Sequence, residues 1–242
     1  MSWPDGVDRV VLDEVDSTSA EAGRRAPAVP TWVMARRQTA GRGRRGRAWS
    51  MPEANFAASL AWRPPGTPAD WARRSFVASL ALHDALTALG IADLSLKWPN
   101  DVLHRGGKLA GLLLEAPVPG LVVLGVGVNL AAVPPTDALE TGALRPAALD
   151  GTIQPEVLLD ALASAYAARE AEFTTWGFAP IRAGWLARAA GLGTRIAART
   201  VTDTRHGTFE DVDADGRLLL RTAAGLDRIA AADVFFAEVP CS

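Results

Sequence analysis

A glycine- and arginine-rich segment carries the clearest chemical signal in this sequence. Residues 41–46 read GRGRRG, and six arginines but no acidic residue lie between Arg36 and Pro52. Arginine is a permanently charged fork that suits carboxylates and phosphates, and glycine lets a backbone approach a ligand closely. The segment fits a flexible loop that closes over small anions. It equally fits a solvated basic loop, for example one that contacts RNA.

The same segment matches the spacing G-x-G-x-x-G, yet it is a poor candidate for a dinucleotide site. That fingerprint requires a helix opening at the last glycine and an acidic residue about 20 positions further on. Here Trp49, Ser50 and Pro52 follow, and then a stretch typical of a strand. We therefore interpret the glycines as hinges of a loop.

Polar side chains also stand at the ends of several predicted strands. KWPND (97–101) joins a lysine, an aromatic ring, a rigid turn and an amide–acid pair, which can position a nucleotide and its metal ion or simply form a turn. In GGKLAGLLLE (106–115), Lys108 begins a strand and Gly111 leaves room for a ligand on the backbone. The amide of Asn129 can read a base edge or cap a turn. Each of these features, taken alone, is also common in proteins without a site there.

Other chemistries have little support. Residues 211–216 imitate the start of an EF-hand loop, but Thr222 occupies the position of the bidentate glutamate, so a hairpin turn is the better interpretation. The sequence has no G-x-S-x-G motif, and its three histidines lack ligand spacing. The single cysteine, Cys241, excludes an internal disulfide and a cysteine-based zinc site, which favours a reducing compartment.

The composition is that of a soluble globular protein. The chain has 242 residues, 25 basic and 27 acidic side chains, and 49% hydrophobic residues. This length allows one large domain, or one large and one small. A net charge of −2 argues against a general nucleic-acid binder. With no signal peptide and no apolar run long enough for a membrane span, we expect a cytoplasmic protein.

The hydrophobic pattern predicts two regions of different character. Up to about residue 188 strands and helices alternate, and after Gly191 short strands follow one another. The cap spacing of Thr18 and Glu21 predicts the start of the first helix there. The predicted strands span 9–15, 31–36, 55–62, 94–98, 102–104, 108–115, 121–130, 194–200, 207–212, 217–222 and 227–236. The other predicted helices span 68–89, 155–176 and 178–189. We therefore expect an α+β domain with a mixed sheet over 1–188 and a small all-β domain over 189–242.

Taken together and in order, the motifs resemble those of biotin protein ligases, also called biotin–[acetyl-CoA-carboxylase] ligases. The resemblance spans the larger region, and residues 207–220 look like that family's small C-terminal domain. The segments that carry it are DSTS (16–19), QTAGRGRRGRAW (38–49), KWPND (97–101), GGKLAGLLLE (106–115) and GVGVNL (125–130). The resemblance implies a class II synthetase-like catalytic domain, as in biotin and lipoate ligases, followed by an SH3-like β-barrel.

The family's reaction has two steps, and the resemblance implies both. Biotin and ATP, with Mg²⁺, give biotinyl-5′-adenylate and pyrophosphate. A lysine of a biotin carboxyl carrier protein, from acetyl-CoA carboxylase or a related carboxylase, then attacks the adenylate. No covalent enzyme intermediate is implied.

The resemblance also assigns roles to individual residues. Arg44 and Lys108 match catalytic groups, and Asp101 matches a nucleotide-side acid that helps with Mg²⁺. The biotin-binding positions are Ser17, Thr18, Ser19, Gln38, Arg42, Gly43, Arg44, Lys108 and Gly111. The positions for ATP and the adenylate are Arg44, Arg47, Trp49, Asp101, Lys108 and Asn129.

Two positions depart from the family pattern. We also expect that the N-terminal helix-turn-helix domain, which some family members carry, is absent. Ser19 stands where many members have asparagine, and Ala54 precedes Asn55 where glycine is usual. The segment before the first predicted strand is too short for a helix-turn-helix, so we expect no DNA binding. Because segment 41–47 has no apolar anchor, we expect it to be mobile until biotin and ATP supply negative charge.

Two other functions remain alternatives. A lipoate–protein ligase shares the main fold and the adenylation chemistry, but it usually lacks the arginine-dense loop and the C-terminal domain. A non-catalytic nucleic-acid-binding module would use the arginines alone and would bind with a steep salt dependence. It would leave the KWPND and GGKLAG segments unexplained.

Overall fold

A mixed seven-stranded sheet forms the centre of the larger part of the molecule. The computed structural model describes residues 2–134 and 144–236, so Cys241 lies outside the described residues. The spatial order is β1-β2-β3-β7-β6-β5-β4, and only β1 and β2 are parallel. The strands are β1 (Asp8–Val15), β2 (Thr31–Gln38), β3 (Phe56–Trp62), β4 (Leu94–Lys97), β5 (Asp101–His104), β6 (Gly107–Val118) and β7 (Leu121–Val128).

Helices cover both faces of this sheet. The large apolar core lies on one face, under α2 (Pro68–Ala88) and α3 (Pro155–Trp176), with α4 (Phe178–Leu186) packed beside them. A smaller apolar cluster that includes Val33 and Val123 lies on the other face, under α1 (Thr18–Arg25). Side chains alternate between the two faces along each strand. None of the helices among residues 2–134 and 144–236 is long and apolar enough to span a membrane.

The long helix α2 begins where the sequence predicts. The Thr67 side chain accepts a hydrogen bond from the Asp70 N–H, and the Asp70 carboxylate accepts one from the Thr67 N–H. This capping box satisfies two free donors, and Pro68 occupies the first turn, where no donor is needed. Within α2 the buried guanidinium of Arg74 pairs with Glu170 of α3 at 2.7 Å, which joins the two core helices.

The first helix begins at Thr18, as predicted, but its cap is the preceding residue. Ser17, not Thr18, is the N-cap, and its hydroxyl accepts the Ala20 N–H at 3.4 Å. Thr18 is already helical, and both its N–H and its hydroxyl donate to Gln38 Oε1. The Thr18 hydroxyl, which the sequence assigned to the helix cap, therefore donates to Gln38 of β2 instead.

The second part of the molecule is an antiparallel five-stranded sheet, here called the small sheet. Its order is β11-β10-β9-β8-β12. The predicted barrel is not confirmed, because β11 and β12 are opposite edges and no ladder joins them within the described residues. The predicted strand 227–236 is in fact two strands, since residues 230–232 carry the chain from one edge to the other. The strands are β8 (Arg195–Arg199), β9 (Thr204–Val212), β10 (Leu218–Thr222), β11 (Gly225–Ile229) and β12 (Asp233–Phe236).

The small sheet is attached to the larger part at several points. The acidic turn between β9 and β10 is a hairpin, as predicted, and Asp213 Oδ1 accepts the N–H groups of Asp215 and Arg217. The indole of Trp98 donates to the Gly216 carbonyl of this turn at 3.1 Å. On the connecting segment, the Ala190 N–H donates to the Leu96 carbonyl at 2.8 Å, which extends the main sheet beyond β4.

Ala54 occupies a left-handed backbone conformation, with φ of +62°. This conformation costs an L-residue roughly 1–2 kcal/mol, and glycine avoids that cost at some loss of entropy on folding. It explains why glycine is the residue usual at this position in the proteins that the sequence resembles.

We predict that Ala54→Gly raises the free energy of unfolding by about 0.5–1 kcal/mol. Ala72, an exposed residue inside α2, offers a matched control, since Ala72→Gly should lower that free energy by a similar amount. Urea unfolding followed by circular dichroism measures both. A loss of stability in Ala54→Gly would contradict the strain at this position.

Candidate active site

One cavity of about 620 Å³ lies on the sheet face that carries α1, and both parts of the molecule contribute to its wall. All residues to which the sequence assigned a role line it. They are Ser17, Thr18, Ser19, Gln38, Arg42, Gly43, Arg44, Arg47, Trp49, Asp101, Lys108, Gly111 and Asn129. The small sheet adds Asp233, Val234 and Phe235.

A fixed amide marks one end of this cavity. Gln38 Oε1 accepts the Thr18 N–H at 2.7 Å and the Thr18 hydroxyl at 3.0 Å. Because a backbone N–H can only donate, the atom of Gln38 that faces it must be the oxygen. The Gln38 amide nitrogen therefore points away from Thr18 and offers its N–H groups to a ligand oxygen.

Buried hydroxyls continue this polar end. The Ser59 hydroxyl donates to Thr18 Oγ1 at 2.8 Å, and the Ser19 and Ser59 oxygens are 3.0 Å apart. Gly125 faces Ser59 in the β3–β7 register, and a Cβ there would lie 2.5 Å from the Ser19 oxygen. The glycine thus makes room for the hydroxyl that stands where many biotin protein ligases have asparagine. Sequence reasoning missed Ser59, although a serine inside the fully buried strand β3 is a usable signal.

Glycines also let an aromatic ring lie directly on the sheet. Gly111 and Gly127 are register partners on β6 and β7. A Cβ at Gly111 would lie 3.2 Å from the Trp49 ring, and one at Gly127 would overlap the indole. The ring thus lies against the sheet backbone, and any side chain at Gly127 would displace it.

Asn129 presents an acceptor from the wall of the cavity. Its side-chain nitrogen donates to the carbonyls of Ala147 at 3.1 Å and Lys108 at 3.4 Å. Since a carbonyl can only accept, this contact fixes the amide orientation and directs Oδ1 the other way. Oδ1 is buried and has no hydrogen-bond partner among the residues that the structure describes. A buried acceptor of this kind requires a donor, such as an exocyclic amine of a base.

Two lysines and one carboxylate form a cationic cluster in the same cavity. Lys108 Nζ lies 2.7 Å from Asp101 Oδ1, and Lys97 Nζ lies 3.8 Å from Asp101 Oδ2. These are the only two lysines in the sequence. The Lys97 side chain is only 12% exposed, and this burial lowers its pKa, although Asp101 opposes the shift.

The residues from 41 to 47, here called the arginine loop, supply further positive charge. Arg44 donates to Asn100 Oδ1 at 3.1 Å, and its burial lowers the guanidinium pKa despite the opposing Asp233 and Asp101. Arg42 lies 3.6 Å from Glu115. Arg45 and Arg47 both contact Asp233. The expectation that only ligands supply negative charge to this loop is therefore wrong.

Lys97, Asn100 and Asp233 are charged or amide residues of the cavity wall to which the sequence assigned no role. Lys97 and Asn100 belong to the KWPND segment, whose chemistry had been recognised but not assigned to them. Asp233 is different, because no local motif surrounds it and its contact with Arg45 spans 188 positions of sequence. Only the fold could bring that carboxylate to the arginine loop.

The donor set does not form a magnesium site by itself. Asp101 and Asp233 are the only carboxylates that line the cavity within the described residues, and each is already matched by cations. The described residues contain no group of three or more metal-ligating side chains. Mg²⁺ in nucleotide sites usually keeps several waters and phosphate oxygens, so it needs at most one oxygen from Asp101.

Comparisons with known proteins show which family this chain is similar to. Residues 13–129 match the family described as Biotin/lipoate A/B protein ligase family, and residues 191–237 match the Biotin protein ligase C terminal domain. The biotin–[acetyl-CoA-carboxylase] ligase of Paracoccus denitrificans is 52% identical, over 93% of this chain and 99% of its own. The chain belongs to the biotin protein ligase family.

More distant relatives agree with this assignment. The bifunctional ligase/repressor BirA of Bacillus subtilis is 30% identical over 93% of this chain and 71% of its own. The biotin protein ligase from Aquifex aeolicus, solved in complex with biotin and ATP, has a TM-score of 0.85 at 23% identity. That match covers 95% of this chain and 99% of the Aquifex chain, and it supports the fold.

The low pKa of Lys97 gives a test of the cationic cluster. A lysine whose pKa is lowered loses its charge at a lower pH than an ordinary lysine, so anion binding should weaken early as the pH rises. We expect the affinity for sulfate, whose charge is constant over this range, to fall between pH 7 and pH 10 by up to about tenfold, equivalent to about 1.4 kcal/mol. In Lys97→Arg, whose side chain keeps its charge, the fall should be smaller.

Isothermal titration calorimetry on both proteins across this range measures the effect. Circular dichroism at each pH serves as the control that both remain folded. Identical pH dependence in the two proteins would show that Lys97 does not contribute.

Proposed function

We propose that this protein is an ATP-dependent biotin ligase. In the first step a carboxylate oxygen of biotin attacks the α-phosphorus of ATP, the bond to the β-phosphate breaks, and pyrophosphate leaves. In the second step the amine of a carrier-protein lysine attacks the carbonyl of biotinyl-5′-adenylate. An amide forms, and AMP leaves with the electrons of the broken C–O bond.

The observation that carries this proposal is the order of groups around a single cavity. The Gln38 amide and the Thr18 hydroxyl lie at one end, and Asn129 Oδ1, which has no hydrogen-bond partner among the described residues, offers an acceptor for a base. The cations Lys97, Lys108 and Arg44 surround Asp101. A site that joins a polar bicyclic ring, a carboxylate, a phosphate and adenine needs these groups together.

The polar end suits the ureido group of biotin. A ureido carbonyl needs donors, which the Gln38 amide nitrogen supplies, and ureido N–H groups need acceptors, which the hydroxyl oxygens supply. Because Thr18 already donates to Gln38 and accepts from Ser59, its hydroxyl orientation is set before a ligand arrives. Preorganisation of this kind lowers the entropy cost of binding.

The cations answer the main electrostatic problem of the first step. Two negative groups about 4 Å apart repel each other by roughly 4 kcal/mol at the effective dielectric of a partly exposed site. Lys108 and Arg44 can contact the carboxylate and the α-phosphate together, and Lys97 adds charge for the departing pyrophosphate. Such fixed charges cost no reorganisation as the reaction proceeds.

The remaining assignments follow the same logic. Asn129 Oδ1 accepts from the adenine amine, and Trp49 covers the base from its seat on Gly111 and Gly127. Mg²⁺ bound to the ATP phosphates would screen their charge, and Asp101 is the residue that would hold it. Arg42, Gly43 and Arg47 follow the substrates as part of the arginine loop.

The wider setting is also part of the proposal. The carrier is a biotin carboxyl carrier protein of acetyl-CoA carboxylase or a related carboxylase, and the reaction takes place in the cytoplasm without DNA. We propose that the two domains of the chain are residues 1–188 and 189–242. The hydrogen bonds of residues 188 and 190 to Leu96 support a junction at this place.

The two alternatives fit less well. A lipoate ligase would agree with the match over residues 13–129, but the match over 191–237 is specific to biotin protein ligases. A nucleic-acid module would present its arginines to solvent, whereas Arg44 is half-buried and bonded to Asn100.

The deciding experiment is incubation with ATP, Mg²⁺ and either biotin or lipoate, followed by mass spectrometry of the nucleotide products. We expect biotinyl-5′-adenylate and no lipoyl adenylate. Adenylation of lipoate alone would replace the proposed substrate. If neither acid is adenylated, the ligase function is wrong.

We predict that Lys108→Ala slows formation of the adenylate by about 10²–10³-fold, because it removes a preorganised donor from the developing charge. Single-turnover release of pyrophosphate measures this rate. Arg105→Ala is the matched control, since it removes an exposed cation from the same β5–β6 turn outside the cavity. If Lys108→Ala forms the adenylate as fast as the control does, Lys108 does not contribute to this step.

A further inference from the structure

A single carboxylate of the small sheet contacts three cations of the arginine loop. Asp233 Oδ1 lies 3.1 Å from Arg47 and 3.8 Å from Arg44, and Asp233 Oδ2 lies 2.9 Å from Arg45. Only 14% of the Asp233 side chain is exposed. No other acidic side chain of the described residues has this many ion pairs to the loop.

Backbone groups next to Asp233 extend this contact. The Ala232 carbonyl accepts from Arg44, and the Arg199 carbonyl accepts from Arg45, each at 3.5 Å. Arg199 is the register partner of Asp233 in the β8–β12 ladder, so the two acceptors are fixed side by side. The small sheet thus presents a rigid acceptor group to a loop that has no apolar anchor of its own.

We propose that Asp233 is a positioning residue that latches the arginine loop over the cavity before substrates bind. The three guanidinium groups repel one another, and a carboxylate between them removes that repulsion at the place where a loop rich in glycine must be ordered. The latch keeps Arg44 directed at Asn100 and the cationic cluster. The small sheet therefore acts in the reaction through the loop, without itself touching the reacting atoms.

The latch also bears on retention of the intermediate, a consequence that rests on the proposed function. An acyl adenylate that escapes into solution acylates unrelated amines. A loop held by the small sheet keeps the adenylate enclosed until the carrier arrives. A loosened loop should slow adenylation and release part of the intermediate.

The test compares Asp233→Asn with Asp233→Glu, which keeps the charge. Glu210→Gln is the matched control, because Glu210 forms a bidentate pair with Arg221 on the same sheet, away from the loop. Limited trypsin digestion of each ligand-free protein, with fragments read by mass spectrometry, reports cleavage after residues 42–47. Circular dichroism checks that every variant is folded.

In Asp233→Asn we expect cleavage within the loop to become roughly tenfold faster than in the wild type, the factor for losing about 1.4 kcal/mol of ordering. Asp233→Glu should recover most of the protection, and Glu210→Gln should behave as the wild type. Equal cleavage in wild type and Asp233→Asn would overturn the latch. This readout needs no biotin, so it can succeed even if the ligase function is wrong.

The second readout is labelling of a mixture of unrelated proteins in the presence of biotin and ATP. Asp233→Asn should label them several-fold more per adenylate formed than the wild type. Faster cleavage with unchanged labelling selectivity would keep the positioning role and overturn its part in retaining the adenylate.

Discussion

Two carboxylates organise the cations on which the cavity depends. Asp101 holds Lys97 and Lys108, and Asp233 holds three arginines of the loop. Without them, five positive groups would repel one another around a partly buried space, and each would tend to turn toward water. With them, the cations stay in place and still exceed the carboxylates in number. This surplus of positive charge suits a carboxylate and a polyphosphate that must meet.

The main sheet supplies what the charges cannot, which is a surface of fixed shape. Gly111, Gly125 and Gly127 lie on adjoining strands and have no side chains to fill the cavity. Because these glycines have no side chains, the Trp49 ring and the Ser19 hydroxyl can lie against the sheet backbone. Strands hold positions more rigidly than loops do, so the Gln38 end and the Asn129 end of the cavity keep a constant separation.

Local signals explain how much of this was predictable. The start of α2 follows from Thr67, Pro68 and Asp70, which act within one turn of helix. The motif residues that line the cavity could also be recognised locally, because each motif is a short continuous stretch of the sequence. The family resemblance that rests on these motifs is confirmed by the 52% identical relative. The roles of the individual residues remain predictions.

What the sequence did not predict depends on contacts between distant positions. The cap of α1 was assigned to Thr18 because nothing local shows that Gln38, on the next strand, takes that hydroxyl. The break between β11 and β12 was also missed, since nothing local in residues 230–232 shows that they connect the two edges of the small sheet.

Asp233 is the most important residue that the sequence reasoning missed, because only the fold brings it to the arginine loop. An acid 188 positions away from Arg45 supplies the charge that the arginine loop lacks in its own sequence. This arrangement makes the cavity a product of both parts of the molecule. The small sheet contributes a wall and a counter-charge, so without it the arginine loop would lose the carboxylate that its arginines contact. The arginine loop and the small sheet form one ionic cluster. This shared cluster gives a physical reason for the two parts of the molecule to occur together in a single chain.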